Sequence, residues 1–254
     1  TWRGARADSA FHVGILEFNS TAQSLRVLWS QRLPGRAHGL LTCADGSLLT
    51  VAVRPGFWLQ RFAADGSQNQ VLQLPTGNHR HFTGHAIASH DAAHIFVGET
   101  DRRDDSGWIS VRDTRTLEVM AEWPTHGIEP HDLQLDAHGM LLVANGGIRR
   151  AAGDRKRELH RMDSSLVRID SRNGELSGQW RLNDSRLSLR HMATSTAAGR
   201  TLVGIGIQAE HDSPAVRSEA PVLAVWDGAS LTVPTHAADA AGYAGDICAA
   251  PRGG

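Results

Sequence analysis

Four stretches of this chain open on histidine and then repeat one pattern. They are "HGLLTCADGSLLTVAVRPG" from His38, "HAIASHDAAHIFVGETD" from His85, "HDLQLDAHGMLLVANGG" from His131 and "HMATSTAAGRTLVGIGIQ" from His191. Each runs through a short alternating or small-residue apolar segment, turns at Asp-Gly, His-Asp, His-Gly or Ala-Gly, and enters a β-branched, leucine-rich run. In three copies a glycine stands eight positions after the histidine: Gly46, Gly139 and Gly199. Alternation, a glycine turn and a second apolar run together read as a β-hairpin. A third strand follows each hairpin in "FWLQRF", "GWISVRD", "SLVRID" and "VLAVWD", and a fourth in "NQVLQL", "LEVMAEW" and "LSGQWRL".

Four strands per unit, repeated at His-to-His spacings of 47, 46 and 60 residues, is the signature of a β-propeller. The spacing predicts an all-β single domain over residues 1–254, with four-stranded blades starting near 38, 85, 131, 191 and 246. Residues 10–34, "FHVGILEF" and "SLRVLWSQRL" among them, read as late strands of the blade that closes the ring. The inner strands of that blade are expected after Asp246, so the 254 residues predict an incomplete ring lacking about two blades' worth of chain. No helical period of convincing length occurs. The polar stretch "RRAAGDRKRELHRMD" (149–163) reads as an exposed loop with at most a short helical turn.

Composition narrows the function classes. Net charge −1 excludes the basic excess that non-specific nucleic-acid or acidic-membrane binding requires. No apolar run approaches the ~20 residues of a bilayer span. The two cysteines, 205 positions apart, suggest neither a metal motif nor a disulfide framework. A Gly-x-Ser-x-Gly elbow and a phosphate loop are both absent. Histidine, with 14 copies against one tyrosine, is the residue type that stands out.

In a propeller the first strand of each blade lines the axis, and the second returns to the same face. That puts His38, His85, His131 and His191 in one axial ring. Arg54, Glu99, Asn145 and Gln208, at the ends of second strands, are expected to ring the same face as ligand-binding residues. The loops "GETDRRDDSGW", "GGIRRAAGDRKRELHRMDSS" and "QAEHDSPAVRSEAP" rim it. Two readings of the histidines stand side by side. Each could tether its own blade through a hydrogen bond, or the imidazoles could converge on a transition metal such as iron or copper. Glu99, Asp132 and Asp246 are then candidate oxygen ligands or second-sphere acceptors. His79 and His81 of "NHRHFTGH" read as loop residues, and His160 and His211 as rim-loop surface. Trp108, Trp180 and Trp226 read as packing residues.

"RPGFWLQRF", "HFTGHAIAS", "HGIEPHDLQLDAHGMLLVANGGI", "LSLRHMA" and "PRGG" resemble a bacterial domain-of-unknown-function family, number 1513, from about residue 10 onward. That resemblance implies a seven-bladed propeller, a twin-arginine export signal and a periplasmic location. The chain opens on Thr1 without such a signal, and processing is expected. The resemblance also implies imelysin-like or di-haem peroxidase-like partners and a link to iron handling. It carries no catalytic residues. A monomeric metal-binding propeller, a protein-interaction scaffold without metal, and a propeller enzyme of lactonase or oxidoreductase type are the functions in play.

Overall fold

A computed structural model describes all residues except 7, 76, 198–199, 236–241, 244 and 251–254. The predicted repeat is present as successive antiparallel sheets. Strands β1 (Trp2–Arg3), β2 (Phe11–Asn19) and β3 (Ser24–Arg32) form a three-stranded sheet in that order. The first complete blade is β4 (Ala37–Thr42), β5 (Leu48–Ala52), β6 (Trp58–Phe62) and β7 (Gln68–Gln73). The second is β8 (Arg80–Ala88), β9 (His94–Asp101), β10 (Ser106–Asp113) and β11 (Val119–Ile128). The third begins with β12 (Pro130–Leu135) and β13 (Leu141–Asn145). A small hairpin, β14 (Arg149–Ala151) with β15 (Arg155–Arg157), intervenes before β16 (Ser165–Ile169) and β17 (Leu176–Trp180) complete it. The fourth is β18 (Leu187–Ala197), β19 (Arg200–Ala209), β20 (Leu223–Trp226) and β21 (Leu231–Thr232), with a six-residue helix α1 (Pro214–Glu219) between its second and third strands.

This is the all-β propeller architecture expected from the repeat. No helix among the described residues is long and apolar enough to cross a membrane. The stretch 149–163 differs from its reading as a plain loop. Arg149–Ala151 pairs with Arg155–Arg157, because the left-handed Gly153 (φ 74°) reverses the chain between them. Around Asp246, the described residues 242–243 and 245–250 adopt no strand. Gly199 and the terminal "PRGG" lie outside the described residues.

Each sheet is made by the same local chemistry. Gly46 (φ 78°) and Gly139 (φ 75°) take the left-handed position of the first hairpin, and Ala92 (φ 57°) takes it in the blade that lacks the glycine. In the first three blades an aspartate at this turn accepts a backbone N–H two residues on: Asp45 from Ser47 (3.0 Å), Asp91 from Ala93 (3.0 Å) and Asp136 from His138 (2.8 Å). The second and third strands carry the core; Leu49, Val51, Leu59, Ile95, Val97, Val143, Val167 and Ile205 are all fully buried. Four apolar clusters fill the spaces between neighbouring sheets.

A second repeat ties blade to blade. From outermost strands, Trp29 Nε1 donates to the Ala64 carbonyl (3.0 Å) and Trp180 Nε1 to the Ala229 carbonyl (2.7 Å), each in the last turn of the following blade. Trp123 occupies the matching place above Gly174, where an added Cβ would come within 2.3 Å of the indole. Gln70 does the same work without an aromatic ring, donating to the Thr116 carbonyl. These tryptophans thus serve packing; Trp29, Trp108 and Trp180 also satisfy their N–H groups, whereas the buried Nε1 of Trp226 has no partner.

Candidate metal centre

The innermost strands β4, β8, β12 and β18 are neighbours in succession around the axis. Each carries its histidine at a break in the ladder. Register shifts lie between Ala37 and Gly39, Phe82 and Ala86, Pro130 and Asp132, and Leu189 and Met192. His38, His85, His131 and His191 each fall among the residues spared pairing by these shifts. A β-bulge re-aims a side chain that regular alternation would send elsewhere. The recurring bulge is therefore what turns all four imidazoles to one point.

They do converge. Ring centroids lie 4.7 Å apart for His38 and His85, 5.0 Å for His85 and His191, and 4.9 Å for His131 and His191. One nitrogen from each of the four lies within 4.8 Å of all the others. Metal–imidazole bonds of about 2.0–2.1 Å place two tetrahedral ligand nitrogens roughly 3.4 Å apart. The Nε2 atoms of His131 and His191 stand 3.4 Å apart, so these two nitrogens meet within the cluster. The centre is graded in depth: His131 is buried, His85 and His191 are half-buried, and His38 is exposed.

Backbone shape supports the exposed member. Gly84, at φ 117°, lies under the His38 ring, and an added Cβ there would stand 2.6 Å from His38 Cδ2. Only glycine fits both the conformation and the contact. The Gly-His pair at 84–85 thus serves two histidines, one through the chain and one through space.

Electrostatics hold the imidazoles in the form that ligates. Partial burial of the ring against its neighbours, then His191 and Arg54, lowers the His38 pKa to about 4. Burial followed by its imidazole neighbours holds His85 well below its ordinary range, and burial followed by Arg190 does so for His131. His191 is lowered mainly by burial. All four are neutral at pH 7, and neutral imidazole offers a lone pair. Asp132 Oδ1 stands 3.4 Å from His85 Nδ1. Burial, partly offset by hydrogen bonds from the Met192 and Leu133 backbone, raises Asp132 to about 7. A carboxylate behind one ring nitrogen fixes the tautomer and leaves the other nitrogen for a metal. His85 Nε2 is buried and has no hydrogen-bond partner, as such a ligand atom would be.

His131 is wired differently. Its Nδ1 receives Nη1 of Arg54 at 3.2 Å and Nη1 of Arg190 at 3.0 Å. A guanidinium can only donate. His131 Nδ1 must therefore accept, and the network assigns the proton of this neutral ring to Nε2. His131 accordingly presents an N–H to the centre, while His38, His85 and His191 are the rings able to offer lone pairs to an ion.

Beneath His131 lies a buried ion cluster. Glu129 binds Arg54 (2.8 Å), Arg150 (2.7 Å) and the fully buried Arg190 (3.1 Å). Burial pushes the Glu129 carboxyl up, but Arg190, Arg54 and Arg150 outweigh it and hold the group at about 2. Its backbone occupies the left-handed region (φ 56°), a costly conformation for a non-glycine residue. It also closes the local chain by accepting the Ile148 amide (3.2 Å).

Of the four residues expected to ring the face as binding groups, Arg54 reaches the imidazoles. Glu99 turns to Arg112 (3.1 Å) in the interior of its blade. Asn145 is fully buried and donates to the Thr125 carbonyl (3.1 Å) and to Ser165 Oγ (3.3 Å), bracing the neighbouring blade. Gln208 stays in the ladder opposite Ser188. The reason is side-chain parity: strand ends on one face need not aim their side chains inward. Arg190, Glu129 and Arg150 were not anticipated, although "LRH" and "IEPH" set two of these charges directly beside the ring histidines. Asp246 is exposed and acts on His38 and His191 at longer range, partly offsetting the lowering of both. His79 stands 3.6 Å from Asp101, His211 lies 2.9 Å from Asp184, and His160 is exposed.

A family profile described as "Protein of unknown function (DUF1513)" matches residues 31–254. No curated protein matches the chain significantly. Among solved structures, the Kuenenia stuttgartiensis hydrazine synthase is similar over 85% of this chain and 57% of its own, with a TM-score of 0.61 and 13% identity. A chain of the mitotic checkpoint complex aligns over 93% of this chain and 62% of its own, with a TM-score of 0.60 and 12% identity. The quinohemoprotein alcohol dehydrogenase ADHIIG of Pseudomonas putida HK5 aligns over 84% and 38%, with a TM-score of 0.55 and 12% identity. This chain spans less than two thirds of each of those proteins. At such identities the likeness is one of fold alone.

Proposed function

Because the chain belongs to the DUF1513 family of proteins of unknown function, we propose a role drawn from its own site chemistry: it binds one transition-metal ion on the propeller axis. The observation that carries this reading is the approach of one nitrogen from each of four neutral histidines to within 4.8 Å. His38, His85 and His191 supply the lone pairs, Asp132 orients His85, and His131 contributes an N–H beside the ion. All-imidazole ligation suits iron, copper, zinc or nickel rather than magnesium or calcium. Three protein ligands leave a coordination position for water or an exchangeable ligand. An exposed His38 gives the ion a way in and out, which fits a binding or handling role.

The family resemblance supports iron as the cargo, the periplasm as the place, and imelysin-like or di-haem peroxidase-like proteins as partners. The test is direct. The chelator-treated protein is titrated anaerobically with Fe(II), and with Cu(II) and Zn(II), alongside a His38→Ala/His85→Ala double variant. One equivalent bound by the parent, with at least a hundredfold weaker uptake by the variant, is the expected result. Equal uptake by both would remove the proposal.

A further inference from the structure

A second site lies behind the ion cluster. A cavity of about 280 Å³ opens between the Arg54–Phe57 turn, the ends of β8 and β9, and the hairpin insertion at 148–154. Arg54 and Glu129 form its inner wall, and the same Arg54 touches His131 on the other side. The cavity is thus a neighbour of the imidazole centre and separate from it.

Its charge is unbalanced. Arg54, Arg150, Arg190 and Lys156 share the carboxylates of Glu129, Asp154 and Glu210, so four cations face three acids. Arg149 and Arg157 both bind Asp105, which also lines the cavity. Arg102 stands at the exposed rim, and no ion pair engages it among the described residues. The positive excess asks for an anion.

Two further features define that anion. His81 faces the cavity, and its Nδ1 is buried without a hydrogen-bond partner. An orphaned buried polar atom of this kind costs free energy that a ligand oxygen would recover. Burial and then Arg102 keep this imidazole neutral, with a pKa of about 4, so Nδ1 can carry a hydrogen to donate. The opposite wall is apolar: Pro55, Phe57, Ile148, Ala151 and Ala152. A concave site with an apolar wall and a few convergent polar groups is the usual form of a small-molecule pocket.

We infer that this cavity binds a small organic carboxylate, its head held by Arg102 and His81 and its apolar body lying against Phe57 and Ile148. Inorganic anions would leave the apolar wall unused, and neutral molecules would leave the guanidinium excess unanswered.

Benzoate is the probe, with benzamide as its uncharged counterpart and inorganic phosphate as the anion without a body. Binding is measured by calorimetry and by ligand-observed NMR on chelator-treated protein. The parent is expected to bind benzoate one to one and benzamide at least tenfold more weakly. Arg102→Gln, at an exposed position, should weaken benzoate at least tenfold. Ala152→Trp, at the exposed lip, should block it. The His38→Ala/His85→Ala variant should bind benzoate like the parent, so failure of the metal reading leaves this result readable. Absence of benzoate binding would overturn the inference. So would equal affinity for benzamide or phosphate, or an unchanged affinity in Arg102→Gln.

Discussion

Replacing Glu129 by glutamine removes one charge from the most deeply buried ion cluster of the molecule. The variant keeps the shape and an acceptor oxygen but leaves Arg54, Arg150 and Arg190 facing one another across a neutral amide. Breaking a buried pair by deleting one partner costs about 3–5 kcal/mol, because the surviving charge is stranded. Proton linkage leads to a similar figure by another route. A carboxyl that titrates at about 2 in the fold and at 4.5 when unfolded contributes about 3 kcal/mol of stability at neutral pH. The sign follows from the depressed folded value. The contribution is complete above 4.5 and drains away as pH falls from 4.5 toward 2. Urea unfolding of parent and Glu129→Gln at a series of pH values is the assay. A gap of about 3–5 kcal/mol should hold at neutral pH and narrow below pH 4.5, with a melting point lowered by roughly 10 °C. The histidines titrate in both proteins and cancel in the difference. A neutral-pH gap below about 1 kcal/mol, or a gap that stays level into strong acid, would refute the argument.

Other outcomes follow from the same geometry. The folded pKa values of His38, His85, His131 and His191 all lie below 6.5, so their contribution to the stability of the metal-free protein is full above 6.5 and falls as pH drops below it, while Asp132, raised to about 7, contributes in the opposite sense; thermal melts of Asp132→Asn, which lacks the opposing carboxyl, between neutral and mildly acid pH measure the histidine part, and a flat profile would contradict it. Gly84→Ala meets both a positive φ and the His38 ring, and should cost roughly 1–2 kcal/mol while weakening metal uptake; unchanged metal titration would separate Gly84 from the centre. Asp132→Asn should lower metal affinity about 10–100-fold by loosening His85, at near-parental stability. His131→Gln, which removes a donor rather than a ligand, should leave one equivalent of metal bound, whereas His85→Ala should abolish stoichiometric binding; competitive chelator titration ranks the two, and the reverse order would sink the tautomer assignment.

Much of the fold was legible because propeller blades are local. Each strand lies beside the next in the chain, so alternation, turn glycines and spacing are sufficient to predict the sheets. The third strands "FWLQRF" and "SLVRID" appear at Trp58–Phe62 and Ser165–Ile169. The insertion at 149–163 was harder to read. Its pairing depends on one left-handed glycine and three short rungs, which leave almost no pattern in the sequence.

The limit for the site is of the same kind. A histidine repeated at strand starts determines that four imidazoles share one end of the axis, since repetition in sequence becomes rotation in space. Whether they point inward is decided by bulges, and a bulge is a mismatch between two strands that neither strand records alone. The same holds for the partners. Arg54, Glu129 and Arg190 come from three different blades, and Arg150 from the insertion, and their meeting around His131 is a property of how the blades pack about the axis. Side-chain parity sent Glu99 and Asn145 into the walls while Arg54 reached the ring. Local chemistry could name the histidines; only the packed structure could divide them into three that offer lone pairs and one that gives a hydrogen.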